Sequence, residues 1–289
     1  MRERAGNIVR ERAGNIVRER PVRFLIALVL AVIFAFPIWF MASSAFKAEV
    51  EIQAVPMHFI PWDFQGLAQF RLAAEIAPMW TYFANSWLYA TSHVVVTVFF
   101  GALAGFGFAK YRFPGRTLLF LAVLSTIMVP FQVLVVPLFI EMKAFGWENS
   151  YAGLLIPGMM NAFGVFMMRQ YAADLPDELL EAARVDGASE FRIFLQIALP
   201  LLLPALASLA IIVVIWSWGA FLWPLVIVQD KALNVLSVGL ATYTHPYLGQ
   251  PMWGAAMAAS TVATIPIAAL FIFFQRYFVK GLTAAAVKG

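Results

Sequence analysis

Glu181-Ala182-Ala183, followed two residues later by Asp186-Gly187, sets an acid, two methyl side chains and a conformationally free residue within seven positions of a chain whose long apolar runs carry almost no charge. Those residue types suit recognition better than bond-making. Small side chains admit another backbone closely, and the charges of Glu181, Arg184, Asp186 and Glu190 can fix its register. The bond-making alternatives are thin. With no cysteine in the chain there is no thiolate nucleophile, disulfide or thiolate metal site. His93 lies in an apolar run without a second His, Asp or Glu nearby, and His58 and His245 are equally isolated, so no metal set is visible. The apolar runs contain no Ser/His/Asp or paired-carboxylate arrangement. No G-x-x-x-x-G-K-S/T sequence occurs, and Gly105-Phe106-Gly107 belongs to an apolar helix, which is the wrong context for a phosphate loop.

The elements that present Glu181 to Gly187 are legible nearby. Leu175-Pro176-Asp177-Glu178 reads as a helix start, with Asp174 as cap, Pro176 in the first turn and two acids at the positive end of the dipole. A helix is expected over about 177–185, stopped by Asp186-Gly187, with Ser189-Glu190 starting a second. Pro200 and Pro204 then bend the chain. An amphipathic surface helix with a solvated charged face is the plainer alternative, but it requires neither paired alanines nor a sharp glycine stop.

Composition makes the surroundings a membrane. The 289 residues are 62% hydrophobic and 12% charged, with a mean hydropathy of +0.81, against roughly 25% charged in soluble domains. Runs near 24–45, 83–109, 117–140, 151–168, 203–228 and 253–275 contain no Asp, Glu, Lys or Arg, as the cost of burying charge in lipid demands. The expected fold class is an all-α integral membrane protein with six transmembrane helices. Sixteen of the 20 Lys and Arg residues lie before residue 24 or at 110–116, 169–192 and 276–288, and only Lys47, Arg71, Lys143 and Lys231 lie on the other side. The positive-inside rule therefore puts both termini and the 174–200 loop in the cytoplasm. The first run would also admit a signal peptide cleaved near Ser43 and Ala45, but its length favours an anchor. Residues 1–23 form a basic tail in which RERAGNIV at 2–9 is repeated at 10–17, too short and too charged for a solenoid unit. The net charge of +4 is spread over the ends of apolar runs, so lipid, and no nucleic acid, is the expected polyanionic partner. The segments 46–82, 141–150 and 229–252 are too short for independent cores, leaving one membrane domain over 24–289.

Glu181-Ala182-Ala183 with Gly187 and the downstream Leu199-Pro200 resembles the EAA loop of the inner-membrane permease subunits of ABC importers, in their carbohydrate-uptake branch. Phe83-Ala84-Asn85-Ser86, Met128-Val129-Pro130, Phe166-Met167-Met168-Arg169-Gln170, Leu175-Pro176-Asp177-Glu178-Leu179, Gly281-Leu282-Thr283 and Val287-Lys288-Gly289 resemble further family motifs, so the likeness covers most of 24–289. Gly219 and Ala220 depart from the polar residues the family often places there, and Ala285 replaces a common glycine.

The resemblance implies a type I ABC importer permease of the bacterial inner membrane whose loop is a coupling helix. Glu181, Ala182, Ala183, Asp186 and Gly187 would dock on a homodimeric cytoplasmic ATPase. It implies no cofactor in this chain, ATP and Mg being held by that ATPase, together with a second, homologous permease subunit and an external solute-binding protein. The binding protein would meet Tyr243, His245 and Tyr247. A sugar substrate would be expected to pass polar and aromatic groups in the spans, here Asn85, Gln132, Asn161, Trp216 and Trp218, although packing and interhelical hydrogen bonding are the default roles of such residues. Disaccharides, longer oligosaccharides, acidic saccharides and glycerol phosphates all remain open. An ion-coupled secondary transporter is the main alternative; it usually needs an ionisable residue at membrane depth, and the spans offer only His93.

Overall fold

A computed structural model describes residues 2–244 and 252–286. Among them there is no strand, only an isolated antiparallel bridge between Lys47 and Phe64. The principal helices are α1 (Arg2–Ser44), α2 (Ala68–Ile76), α3 (Met79–Lys110), α4 (Arg116–Ser125), α5 (Phe131–Ala144), α6 (Ala162–Ala173), α7 (Asp177–Val185), α8 (Leu203–Trp218) and α9 (Trp253–Ala286).

Three of the expected spans are continuous apolar helices: Pro21–Ser44 within α1, Met79–Lys110 as α3, and Trp253–Phe274 within α9. The other three are interrupted. The run 117–140 is split into Arg116–Met128 and Phe131–Ala144, bent by 99°. There Pro130 supplies no backbone N–H and holds Val129 extended, at φ −85° and ψ 115°. The run 151–168, expected as one helix, is Tyr151–Leu155 and then α6, each with its own cap: Ser150 accepts from Gly153 N and Asn161 from Gly164 N. Pro157 and Gly158, the latter at φ +88°, occupy the gap. The run 203–228 is α8, a break at Gly219-Ala220, and the short helix Leu222–Ile227. Among the described residues three helices are therefore long and apolar enough to cross a membrane, or five if each strongly bent pair is one crossing.

Helix α3 is the axis of the bundle and packs on α6 and α8. Its Gly101-x-x-x-Gly105 motif, expected to mark close packing, sits on α6. A Cβ on Gly105 would lie 2.6 Å from Arg169 N, and one on Gly101 3.2 Å from the Gly164 carbonyl carbon. Around this crossing Ala102, Phe106, Met168, Leu180, Phe194 and Leu209 form one buried cluster. No residue in the most apolar stretch of α1 is fully buried within the chain, and its contacts are chiefly with α9.

At the bundle end carrying 46–78, Lys47 is buried and donates to the His58 carbonyl at 2.7 Å, while Glu51 accepts from Trp62 N at 2.9 Å. Glu49 accepts from Trp253 N and Gly254 N, both at 2.8 Å, so its carboxylate caps the N-terminus of α9.

Candidate functional site

Two features stand out: the loop from 174 to 200 at one end of the bundle, and a cavity within it. In the loop, α7 begins at Pro176, whose ring occupies the N-cap, with Asp177 and Glu178 in the first turn. Asp174, expected as the cap, instead closes α6. The helix ends in a complete Schellman motif: Gly187 N donates to Arg184 O and Ala188 N to Ala183 O, both at 3.0 Å, with Gly187 at φ +82°. A Cβ on Gly187 would meet nothing within 4 Å, so the glycine is required within this chain by its backbone angle rather than by crowding. Ser189 then caps Glu190–Ile193 by accepting from Arg192 N, and a π-helical turn over Phe194–Ala198 leads to the short helix Leu199–Leu201. A 78° bend at Leu202 separates that segment from α8.

Helix α7 has two faces. Leu180 and Ala183 are buried against the cluster that holds Phe106 and Phe194. Glu178, Glu181, Ala182 and Val185 form the opposite ridge at helical spacing, and Val185 is 87% exposed. The two alanines therefore differ: Ala183 lets α7 lie close to its own fold, while Ala182 is presented outward beside Glu181. Asp186 and Gly187 are exposed at the tip.

Two residues at the end of the central helix anchor this loop, and the sequence reading did not single them out for it. The Lys110 side chain, 7% exposed, donates from Nζ to Leu175 O at 2.5 Å, to Ala173 O at 3.3 Å and to Asp177 Oδ1 at 2.6 Å. It thereby satisfies carbonyls at the end of α6 and pairs with the first turn of α7. Tyr111 donates from its hydroxyl to Glu190 Oε2, and Arg184 grips the same carboxylate from Nε at 2.8 Å and Nη2 at 3.2 Å. The Lys110 ammonium holds the Asp177 carboxyl below its usual range. Arg184 and then Tyr111 do the same for Glu190. Burial, then the Glu190 carboxylate, pushes the Tyr111 hydroxyl up to about 12. The helix that carries the outward ridge is thus tied to the end of α3 through a packed face and two charged latches. A Lys-Tyr pair ending a long apolar helix opposite an acid-rich loop was the available signal, but the partners lie 63 to 79 residues away in sequence.

The cavity has a volume of about 710 Å³. Its wall includes Tyr89, His93, Asn161, Phe163, Trp216 and Ser217, and among the described residues no Asp, Glu, Lys or Arg lines it. The helix interruptions at Val129-Pro130, Pro157-Gly158 and Ala220-Phe221 all reach it, consistent with irregular backbone at membrane depth being tolerated where it borders a cavity.

Of the span residues singled out as polar or aromatic, Asn161 and Trp216 are brought to this wall, and Asn85, Gln132 and Trp218 are not. Asn85 Nδ2 donates to Ala232 O and Asn234 O at 2.8 and 2.9 Å, and its Oδ1 accepts from the Tyr151 hydroxyl at 2.9 Å, so its amide holds the 231–234 turn in place. Trp218 donates to Ala263 O at 3.1 Å and packs edge-on against Phe83 and Trp87. Gln132 is exposed on α5. Tyr243 is buried, with its hydroxyl on Ala73 O at 2.7 Å, which gives it a packing role. His245 and Tyr247 lie outside the described residues.

Residues 97–284 match the family described as binding-protein-dependent transport system inner membrane component. The chain is 38% identical over 262 residues to the arabinooligosaccharides transport system permease protein AraQ of Halalkalibacterium halodurans, covering 90% of this chain and 93% of that protein. It is 34% identical over 252 residues to the sn-glycerol-3-phosphate transport system permease protein UgpE of Escherichia coli, covering 86% and 90%. In fold it is similar to a chain of a bacterial ABC transporter involved in the import of the acidic polysaccharide alginate, with a TM-score of 0.80 at 23% identity over 90% of this chain and 98% of that one.

Proposed function

The chain belongs to the binding-protein-dependent transport system inner membrane component family, and from that premise we propose that it forms half of the translocation path of an ATP-driven saccharide importer and receives its power stroke through the 174–200 loop. Membership and the names of the AraQ and UgpE relatives support saccharide or glycerol-phosphate cargo. The observation that carries the coupling role is the build of α7: one face packed into the bundle, the other presenting Glu181, Ala182 and Val185 outward, and both ends latched to α3 by Lys110 and Tyr111.

In this scheme the chain makes six crossings of the bacterial inner membrane, counting the two bent pairs and the interrupted 151–168 segment as one each. Both termini and α7 are cytoplasmic, as the distribution of Lys and Arg supports. A homodimeric ATPase holds ATP and Mg and docks on the ridge of α7, with Asp186 and Gly187 at its edge. A second, homologous permease chain completes the path, and a solute-binding protein delivers cargo at the opposite face. Closure of the ATPase dimer biases two arrangements of the spans by differential contact with this ridge.

The cysteine-free sequence makes the docking testable. Ala182→Cys carrying a benzophenone maleimide should photocrosslink to the ATPase chain in the assembled complex. Crosslinking of the ATPase instead to a probe in the 46–78 segment would overturn both the orientation and the docking role.

A further inference from the structure

Deepening the importer assignment, on which it rests, we infer that the cavity inside this chain is a subsite for an uncharged saccharide, with Trp216 as its stacking platform. Trp216 is 52% exposed although it lies in an otherwise apolar helix, and its ring is braced edge-on by Phe163 at a centroid distance of 5.1 Å. The apolar C–H face of a pyranose or furanose ring fits such a surface, because its weakly positive hydrogens meet the negative face of the indole.

A polar group stands where a hydroxyl needs it. Asn161 uses its Oδ1 to cap α6, accepting from Gly164 N at 2.9 Å, and its amide nitrogen has no partner among the described residues. In the same wall His93 approaches the Tyr89 carbonyl with Nδ1 at 2.8 Å. Its Nε2 is buried towards the Pro157 carbonyl, so the ring shapes the wall and offers no accessible acceptor. An aromatic shelf and two amide protons in about 710 Å³ suit a polyhydroxylated ligand, and the volume falls within the roughly 300–1,000 Å³ usual for small-molecule sites.

The same wall selects against charge. No Lys or Arg among the described residues lines it, so a phosphate or carboxylate would lose water without gaining a counter-charge from that wall. Although the similar proteins carry names referring to neutral oligosaccharides, a glycerol phosphate and an acidic polysaccharide, the subsite here suits the first class.

The test uses proteoliposomes holding the complete complex of this chain, its second permease chain and the ATPase, supplied with the binding protein. Radiolabelled arabinotriose and glycerol 3-phosphate serve as neutral and anionic probes. The native complex should import arabinotriose at least tenfold faster than glycerol 3-phosphate. Trp216→Ala should lower arabinotriose uptake at least tenfold and Trp216→Tyr no more than threefold, with binding-protein-stimulated ATP hydrolysis kept in both. Should Trp216→Ala fail to assemble, Met160→Cys in the same wall gives a second measurement: arabinotriose under turnover should protect it from a maleimide. Normal uptake by Trp216→Ala, no protection at Met160→Cys, or preference for the anionic probe overturns the subsite. ATP hydrolysis without import of either probe does so too. Failure of the native chain to assemble with an ATPase would instead overturn the importer assignment beneath it.

Discussion

Gly187 offers the cleanest perturbation of the coupling loop, because a glycine there could serve either of two purposes. It could allow a partner to approach, or it could allow the backbone to turn. The structure places it at φ +82° with open space around the missing Cβ, which assigns the turn. A non-glycine residue in the left-handed region costs roughly 1–2 kcal/mol, whereas asparagine is tolerated at helix C′ positions. Gly187→Val should therefore loosen the Schellman bonds from Gly187 N and Ala188 N and shift the loop equilibrium about tenfold, that being about 1.4 kcal/mol. Gly187→Asn should stay within about threefold of native, a few tenths of the same strain. The assay is stimulation of ATP hydrolysis by loaded binding protein in the reconstituted complex, alongside hydrogen exchange of residues 183–188. If Gly187→Asn is as damaging as Gly187→Val while exchange stays native, the glycine exists for partner approach and the backbone argument fails.

Three further outcomes are expected. The loop latches titrate at the extremes: Asp177 and Glu190 are held below their usual ranges, so their contribution is complete above the ordinary carboxylate pKa and fades as pH falls through the depressed values. Tyr111, raised to about 12, contributes fully below its ordinary pKa and loses that contribution as pH rises through the raised value. Protease resistance of the 174–200 segment should thus be flat from about pH 5 to 9, and a midpoint near neutrality would contradict the latch assignment. Gly105→Val should separate α3 from α6, because its Cβ meets the Arg169 backbone nitrogen at 2.6 Å. Its cost should reach about 3 kcal/mol, the upper part of the overpacking range, seen as a lower unfolding midpoint in detergent, and unchanged stability would show that this crossing is looser. Asn85→Ala removes three hydrogen bonds worth about 1 kcal/mol each. It should expose the 231–234 turn to protease while leaving the KM for cargo unchanged, and the opposite pattern would put Asn85 in the path.

Much of this was legible in the sequence, for definite physical reasons. Charge-free runs of sufficient length marked α3 and the apolar parts of α1 and α9, since lipid forbids unpaired charge. Asp186-Gly187 followed by Ser189 marked the helix stop and restart, because those signals are local backbone chemistry. The interrupted spans were less visible. Hydropathy integrates composition and is blind to backbone continuity, so Pro157-Gly158 and Val129-Pro130 did not stand out as breaks within runs that remain uniformly apolar. The roles of Asn85 and Trp218 were hidden for another reason. A polar atom in a span looks alike whether it faces a pathway or another helix, and only the positions of Ala232, Asn234 and Ala263, far away in sequence, decide the matter. The latch from Tyr111 to Glu190 joins residues 79 apart, so nothing local told which acid Tyr111 would meet.

The most direct test of the account is arabinotriose uptake by proteoliposomes containing this chain alone or with its second permease chain, the ATPase and the binding protein. Uptake should require the full set together with ATP and Mg, and should be abolished when Glu181→Lys reverses the charge on the outward ridge of α7. Uptake by this chain alone, driven by a sodium or proton gradient and indifferent to ATP, would contradict the assignment and make it a secondary transporter.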